Sequence, residues 1–338
     1  MNRIMKAVCG GYLRLVLAAA CLGGFSSAIA QAPAKGDAPY PNRPIKLVVA
    51  FPPGGGADLT ARILAQKLSE SLGQPMVVEN RAGANGVVAA GSVAKSAPDG
   101  YTLLLIDRGA LGINPSIYKS LPYDPVKDFS YVGVVTLGPY VLVVNPALPI
   151  KNFADFVRYA ESKPGTVNYG SMGIGSMVQL NVEAMSARAG IRLTHVPYKG
   201  GGAAVAGVVS GEVGMTIIAI PGALGFIRDG RARAIALGSD KRSPLLPDVP
   251  TMKEVGGGED VLLPTYFGIA APAGTPPAIV AKLSEEINRA LRQNDVATRL
   301  NNAGLEPAES SPQQMLDLVK GDVVRFSALA KAVGIKPE

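Results

Sequence analysis

The 338-residue sequence has no tryptophan, and aromatic residues make up only 6% of it. Stacking platforms for single-stranded nucleic acid are therefore sparse. It has a single histidine, His195. That argues against a histidine-built metal centre and leaves room for only one Ser-His-acid arrangement. The two cysteines, Cys9 and Cys21, both lie in the first 30 residues, so the chain beyond them has no disulfide framework. Charged residues amount to 17%, without a long run of either sign, and hydrophobic residues to 48%. This excludes a disordered polyelectrolyte and predicts a sizeable core. Glycine is the residue in excess, with 40 copies against a usual share of about 7%. Either many turns are needed or backbone comes close to a ligand.

The N-terminus has the pattern of a targeting segment. Arg3, Lys6 and Arg14 are its only charges, and Leu15 to Leu22 is unbroken apolar sequence. Ala28-Ile29-Ala30 fits the small-x-small rule, which predicts a signal peptide over 1–30, cut after Ala30, and delivery to the periplasm. The apolar run is too short to span a bilayer. An uncut anchor, or a lipid on Cys21, is the alternative. Cleavage leaves 308 residues and lowers the net charge from +7 to +4. Scattered charge of that size suits an anionic ligand and not DNA; no nucleic-acid partner is expected.

A proline-rich lead-in, 31–44, precedes alternating strand and helix patterns. Ile45 to Phe51 is apolar apart from Lys46 and reads as a strand, Asp58 to Leu72 has a helical period, and Met76 to Val78, Val87 to Ala94 and Thr102 to Ile106 follow as strand, helix and strand. Strands that are apolar throughout suggest parallel sheets covered on both faces. Tyr131 to Val135, Tyr140 to Val144, Val167 to Tyr169, Leu193 to Val196, Met215 to Ile220 and Ala234 to Leu237 read as further strands. Phe153 to Glu161 and Met177 to Ala189 read as helices, and Pro277 to Val333 as mostly helical. The simplest account is an α/β protein of two lobes, each a mainly parallel sheet flanked by helices. A chain that crosses twice assigns 41–140 and 263–338 to one lobe and 141–262 to the other, with hinges near 140 and 262.

Two glycine-rich loops sit between a strand and a helix. Phe51-Pro52-Pro53-Gly54-Gly55-Gly56-Ala57-Asp58 is one, and Gly170-Ser171-Met172-Gly173-Ile174-Gly175-Ser176 the other. Ligands of open parallel sheets bind at such strand ends, and a helix start favours a carboxylate or phosphate. Each loop is also readable as a capped turn, with Asp58 or Ser176 as N-cap, though the strand-end context favours ligand contact at the first. Neither has the spacing of a Walker or dinucleotide motif. There is no Gly-x-Ser-x-Gly elbow. Lys199, beside Gly200-Gly201-Gly202, is a candidate for Schiff-base chemistry, although a third glycine loop before a helix suits binding or hinge duty better. Arg108, in Asp107-Arg108-Gly109, is either a clamp for a second carboxylate or part of a solvent-facing turn. Tyr266 either lines the cleft or packs in the core.

Several segments in succession resemble the Bug family of periplasmic solute-binding proteins, the TctC-like receptors of tripartite tricarboxylate transporters. They are Tyr40-Pro41-x-Arg43-Pro44-Ile45, Phe51-Pro52-Pro53-Gly54-Gly55-Gly56-x-Asp58, Val78-Glu79-Asn80-Arg81-x-Gly83, Pro98-Asp99-Gly100-Tyr101-Thr102, Ile113-Asn114-Pro115, Leu121-Pro122-Tyr123-Asp124-Pro125, Asn168-Tyr169-Gly170-Ser171, His195-Val196-Pro197-Tyr198-Lys199-Gly200, Leu246-Pro247-Asp248-Val249-Pro250-Thr251 and Ala271-Pro272-Ala273-Gly274-Thr275-Pro276. The likeness runs from about Tyr40 to the C-terminus.

The resemblance implies a Venus-flytrap receptor that closes on a small carboxylate. Phe51, Pro53, Gly54, Gly55, Gly56, Ala57 and Asp58 would hold it from one lobe, and Ser171, Gly173, Gly175 and Ser176 from the other. Arg108, Tyr198 and Tyr266 are the candidates for its distal end. The resemblance implies membrane transporter subunits as partner; a sensor ectodomain is the alternative, and a secreted Lys199-dependent enzyme a further one. A monomer without metal or cofactor is expected. Ala57, where many members have Thr or Ser, Asp107-Arg108-Gly109, where a small Gly-Thr type segment is common, and Gln179, where many have His, depart from the pattern.

Overall fold

The computed structural model describes residues 39–258, 261–332, 334, 335 and 337; the predicted signal peptide lies outside them. The chain divides into two units, Met1–Tyr40 and Pro41–Glu338. Of the first, Pro39 and Tyr40 are described, and every element below belongs to the second. The end of the lead-in is tied down and not loose: Asn42 and the Tyr101 hydroxyl exchange hydrogen bonds of 2.9 Å, and Arg43 pairs with Asp99 at 2.7 Å.

Ile45–Val49 (β1) is apolar and buried at every position except Lys46. A strand without a solvent face belongs inside a sheet, and β1 pairs in parallel with Met76–Asn80 (β2) and Thr102–Asp107 (β3). The connections run through Gly56–Leu72 (α1), which stops at left-handed Gly73, and Val87–Ala94 (α2). After β3 come a π-helical turn, Gly109–Ile113, and the short Asn114–Ile117 (α3). Phe129–Gly138 (β4) completes the first pass through this sheet.

Pro139 alone separates β4 from Tyr140–Val144 (β5), which begins a second sheet. That sheet contains Asn168–Ser171 (β6), Thr194–Pro197 (β7), Met215–Ala219 (β8) and Arg233–Gly238 (β9). Its helices are Phe153–Ser162 (α4), Met177–Ala189 (α5), Gly201–Ser210 (α6) and Ile220–Arg228 (α7). The chain then returns to the first sheet as Thr265–Pro272 (β10). It ends with Pro277–Leu291 (α8), Asn294–Asn302 (α9), Glu306–Pro307 (β11) and Pro312–Ala332 (α10). No helix among the described residues is long and apolar enough to cross a membrane.

The strand orders are β11-β4-β10-β3-β1-β2 and β7-β6-β8-β5-β9. Both sheets are mixed. The parallel arrangement expected from the apolar runs holds around β1 and β6, but β10 is antiparallel to β3 and β4, and β5 to β8 and β9. These two are the first strands after the chain changes sheet, so each enters from the opposite direction. The sequence pattern does not single out β10, because strand formers in TYFGIAAP are interrupted and followed by Gly, Ala and Pro, residues of low strand propensity. Pairing on both sides and full burial of Ile269, Ala270 and Ala271 override that preference.

All five residues of β5 are buried, and they divide by parity. Tyr140, Leu142 and Val144 join the core under α4 and α5, whereas Val141 and Val143 join the one under α6 and α7. The final helix joins the two halves. Met315 and Val319 of α10 belong to the core of the first sheet, and Phe326, two turns later, to that of the second.

Candidate interlobe binding site

A cavity of about 380 Å³ opens between the sheets. From the first side its wall has Phe51, Asn85, Asp107, Gly109, Ile113, Ile117 and Tyr118. From the second it has Tyr140, Met172, Ile174, Gly175, Ser176 and Met177. Phe51 follows β1 and Asp107 ends β3, so the cavity meets the carboxyl ends of adjacent parallel strands, as expected of an open α/β sheet. Gly175, Ser176 and Met177 are the last loop residue, the N-cap and the first residue of α5.

The first loop is built around Asp58. Its carboxylate accepts the Gly54 N–H at 3.0 Å, Arg62 Nε at 2.9 Å and Asn80 Nδ2 at 2.9 Å. The Arg62 hydrogen bond is the main cause that holds its pKa at about 2, against the opposing effect of burial. Asp58 thus fixes the loop and has no free face for a solute ammonium or hydroxyl. Pro53, Gly54, Gly55 and Gly56 are exposed, and Ala57 is buried. With Gly54 N–H bound to Asp58, the amides of Gly56 and Ala57, in an α1 first turn without a side-chain cap, remain donors, but of this loop only Phe51 lines the cavity.

Because the folded pKa of Asp58 is depressed, its stabilisation is present above the unfolded value near pH 4 and is lost as pH falls toward 2. Asp58→Asn should therefore flatten the acid limb of stability between about pH 4 and 2. Urea midpoints over that range test it. A variant whose acid limb stays as steep as the parent's would remove Asp58 as its source.

The second loop also turns its polar groups inward. Ser171, fully buried, accepts the Gly173 N–H at 3.0 Å and lies 2.6 Å from His195 Nε2. His195 stacks on Tyr169 at 5.0 Å, and burial lowers its pKa. The Ser171–His195 pair is off the cavity wall, which denies it access to a solute. Gly175 N–H is taken by Gln179 Oε1 at 2.8 Å, and Ser176 Oγ accepts the Gln179 N–H. The α5 first-turn amides that this capping leaves without a side-chain partner are those of Met177, on the cavity wall, and Val178. Gly173 and Gly175 have φ of 119° and 73°. At Gly175 the fit is also close: a Cβ would stand 3.1 Å from Ile117 across the cavity.

The three distal candidates are not at the cavity. Arg108 is buried; its Nε and Nη2 hold both oxygens of Asp322 on α10, at 2.9 and 2.6 Å, and Nη1 donates to the Pro264 carbonyl at 2.8 Å. It is neither a clamp for solute nor a solvent-facing turn. Tyr266 is fully buried, its ring 5.5 Å from that guanidinium. Tyr198 packs against Gly170 and Gly207 beneath α6, and burial, with Glu212 nearby, pushes its hydroxyl up. Lys199 is exposed and off the cavity wall.

The structure adds residues that the sequence reading missed. Asn85 occupies the left-handed region at φ 50°. Asn114 holds it there, accepting Asn85 Nδ2 at 2.7 Å and donating to the Asn85 carbonyl, while Tyr123 fixes Asn114 in turn. The Asn114-Pro115 motif was the available signal, since a buried Asn needs partners. Tyr118, Tyr140, Ile113 and Ile117 carry no comparable signal.

A sequence profile described as "Tripartite tricarboxylate transporter family receptor" matches residues 60–335. The chain is 40% identical over 298 residues to Protein BugT of Bordetella pertussis, which covers 88% of this chain and 91% of that one. It is similar to the solved structure of R. palustris Rpa4515 with adipate, with a TM-score of 0.76, 35% identity, and coverage of 88% of this chain and 100% of that one. It is also similar to MatC (Rpa3494) from Rhodopseudomonas palustris with bound malate, with a TM-score of 0.71, 34% identity, and coverage of 86% and 99%.

Proposed function

Because the chain belongs to the tripartite tricarboxylate transporter receptor family, whose members are periplasmic solute-binding proteins and not enzymes, we propose that it captures a small carboxylate between its lobes and delivers it to a transporter of that type. The observation that carries this reading is the cavity between strand ends and the N-terminus of α5. Amides at a helix start favour an anion without any basic side chain. Those of Met177 and Val178 would meet the carboxylate from one side, and Gly56 and Ala57 from the other as the lobes close. The lobes are 41–140 with 263–338, and 141–262, turning about the crossings at Pro139 and between β9 and β10. Asp58, Ser171, Gly173 and Gly175 shape the loops.

The test is calorimetry on protein that has been unfolded and refolded to remove carried-over solute, titrated with mono-, di- and tricarboxylates, acidic amino acids and aromatic acids. Saturable binding within one class, abolished by bulky substitution of Ser176, is the expected result. A folded protein that binds none of them would overturn the reading. For the partner, the receptor should restore uptake of the bound solute in a strain lacking it. A transcriptional response without uptake would instead identify a sensor.

A further inference from the structure

Asp107 ends β3 on the cavity wall, opposite Phe267 of β10. Its Oδ1 accepts the Ala110 N–H at 2.8 Å, and the Gly109 amide and its own also face the carboxyl. None of these is a full positive charge. Burial pushes the carboxyl up to about 6, so at neutral pH it is mostly ionised. Its neighbour Arg108 is committed to Asp322 and Pro264. Among the described residues of the cavity wall there is no Lys, Arg or His, and Asp107 has no ion pair. A half-buried carboxylate on a cavity wall without a cation is costly, and it repels any second carboxylate brought into the same space.

Between Asn85 and Tyr118 on one side and Ser176 on the other, part of the wall is suited to an apolar body. Ile113 and Ile117 line one side, and Met172 and Ile174 the other. The last two are 40% and 70% exposed, on a loop whose polar groups are turned inward.

We propose that Asp107 sets the solute class: the cleft takes a carboxylate whose apolar body bears an amino cation, and Asp107 receives that cation. This rests on the carboxylate-receptor reading and narrows it. It also separates this chain from the neighbours crystallised with adipate and malate, since both of those solutes carry a second carboxylate.

The experiment uses refolded protein and matched probes of three to six carbons. Each ω-amino acid, up to 6-aminohexanoate, is compared by calorimetry with the plain monocarboxylate and the dicarboxylate of equal length. The amino acid should bind tightest, by at least about tenfold over its dicarboxylate, and Asp107→Asn should abolish that ranking. The same effect is readable without a variant. Lowering pH from 7.5 to 5.5 protonates Asp107 and should weaken the amino acid about fourfold, from linkage to a group titrating near 6. The other groups that act on this site stay fixed over that range: Tyr123, Tyr140 and Tyr266 are held neutral by burial, and Arg108 remains paired with Asp322. A dicarboxylate preferred by the parent, or an amino preference that survives in Asp107→Asn, overturns the inference and leaves the receptor reading standing. Failure of the folded parent to bind any carboxylate overturns both.

Discussion

Arg108→Ala should lower stability by about 3–5 kcal/mol, the range for removing one partner of a buried ion pair. The geometry supports the upper part of that range. The pair is bidentate, both side chains are almost fully buried, and the third guanidinium nitrogen holds the Pro264 carbonyl just before β10. Asp322 is already held above the ordinary carboxylate range by burial, with Arg108 opposing it. Alone, it would be an uncompensated charge or a newly protonated acid against Tyr266. The double replacement Arg108→Met, Asp322→Leu should recover most of the loss, because it removes both charges together. Urea midpoints of the parent and the two variants decide the matter. A loss below about 1 kcal/mol for the single change would place the pair among weak surface bridges. The ratio of affinities for mono- and dicarboxylates should be unchanged, since Arg108 does not line the cavity.

The same arginine shows where sequence reading stops. Its partner stands 214 residues away, and nothing near Arg108 reveals that α10 brings an acid to it. Tyr266 and Tyr198 are similar cases: their burial depends on which elements cover them. The strands and helices were more legible. β5 and α5 have the bounds that their pattern predicts, whereas β1 starts as expected at Ile45 but stops at Val49, two residues short of the apolar run. Both strand-to-helix loops were also visible, because glycines between an apolar run and a helical period have few other uses. Which groups in those loops remain free was not. Asp58, Ser171 and Gln179 each close a local hydrogen bond that consumes a backbone donor of a glycine-rich loop. Asp107 had the opposite fate. It was visible as an unusual residue beside Arg108, yet only the fold shows the basic neighbour turning away and the acid left on the wall.

The second crossing between the sheets is the other point where one atom should have a large effect. Gly238 ends β9, and a Cβ on it would stand 1.9 Å from the Leu262 carbonyl oxygen and 2.8 Å from the Leu262 Cβ. The obstacle is backbone, which cannot rotate aside as a side chain does. Leu262 itself is fully buried and held at φ 52°, a strained value for a residue with a branched side chain. Its position is therefore set by the packing around it, in the core shared by Tyr140, Ile217 and Phe326. Gly238→Ala must either separate β9 from the returning chain or unseat Leu262. The expected loss is about 3 kcal/mol, at or beyond the top of the usual range for overpacking. Gly225→Ala is the control. That glycine lies inside α7 with nothing within 4 Å of the added carbon, and the change should stabilise by about 0.5–1 kcal/mol through helix propensity. If both alanines proved equally neutral in urea unfolding, the approach of the two segments would be looser than this geometry requires. If only Gly238→Ala is destabilised, and its radius of gyration in solution also changes, the contact between β9 and Leu262 sets the angle between the lobes as well as their stability.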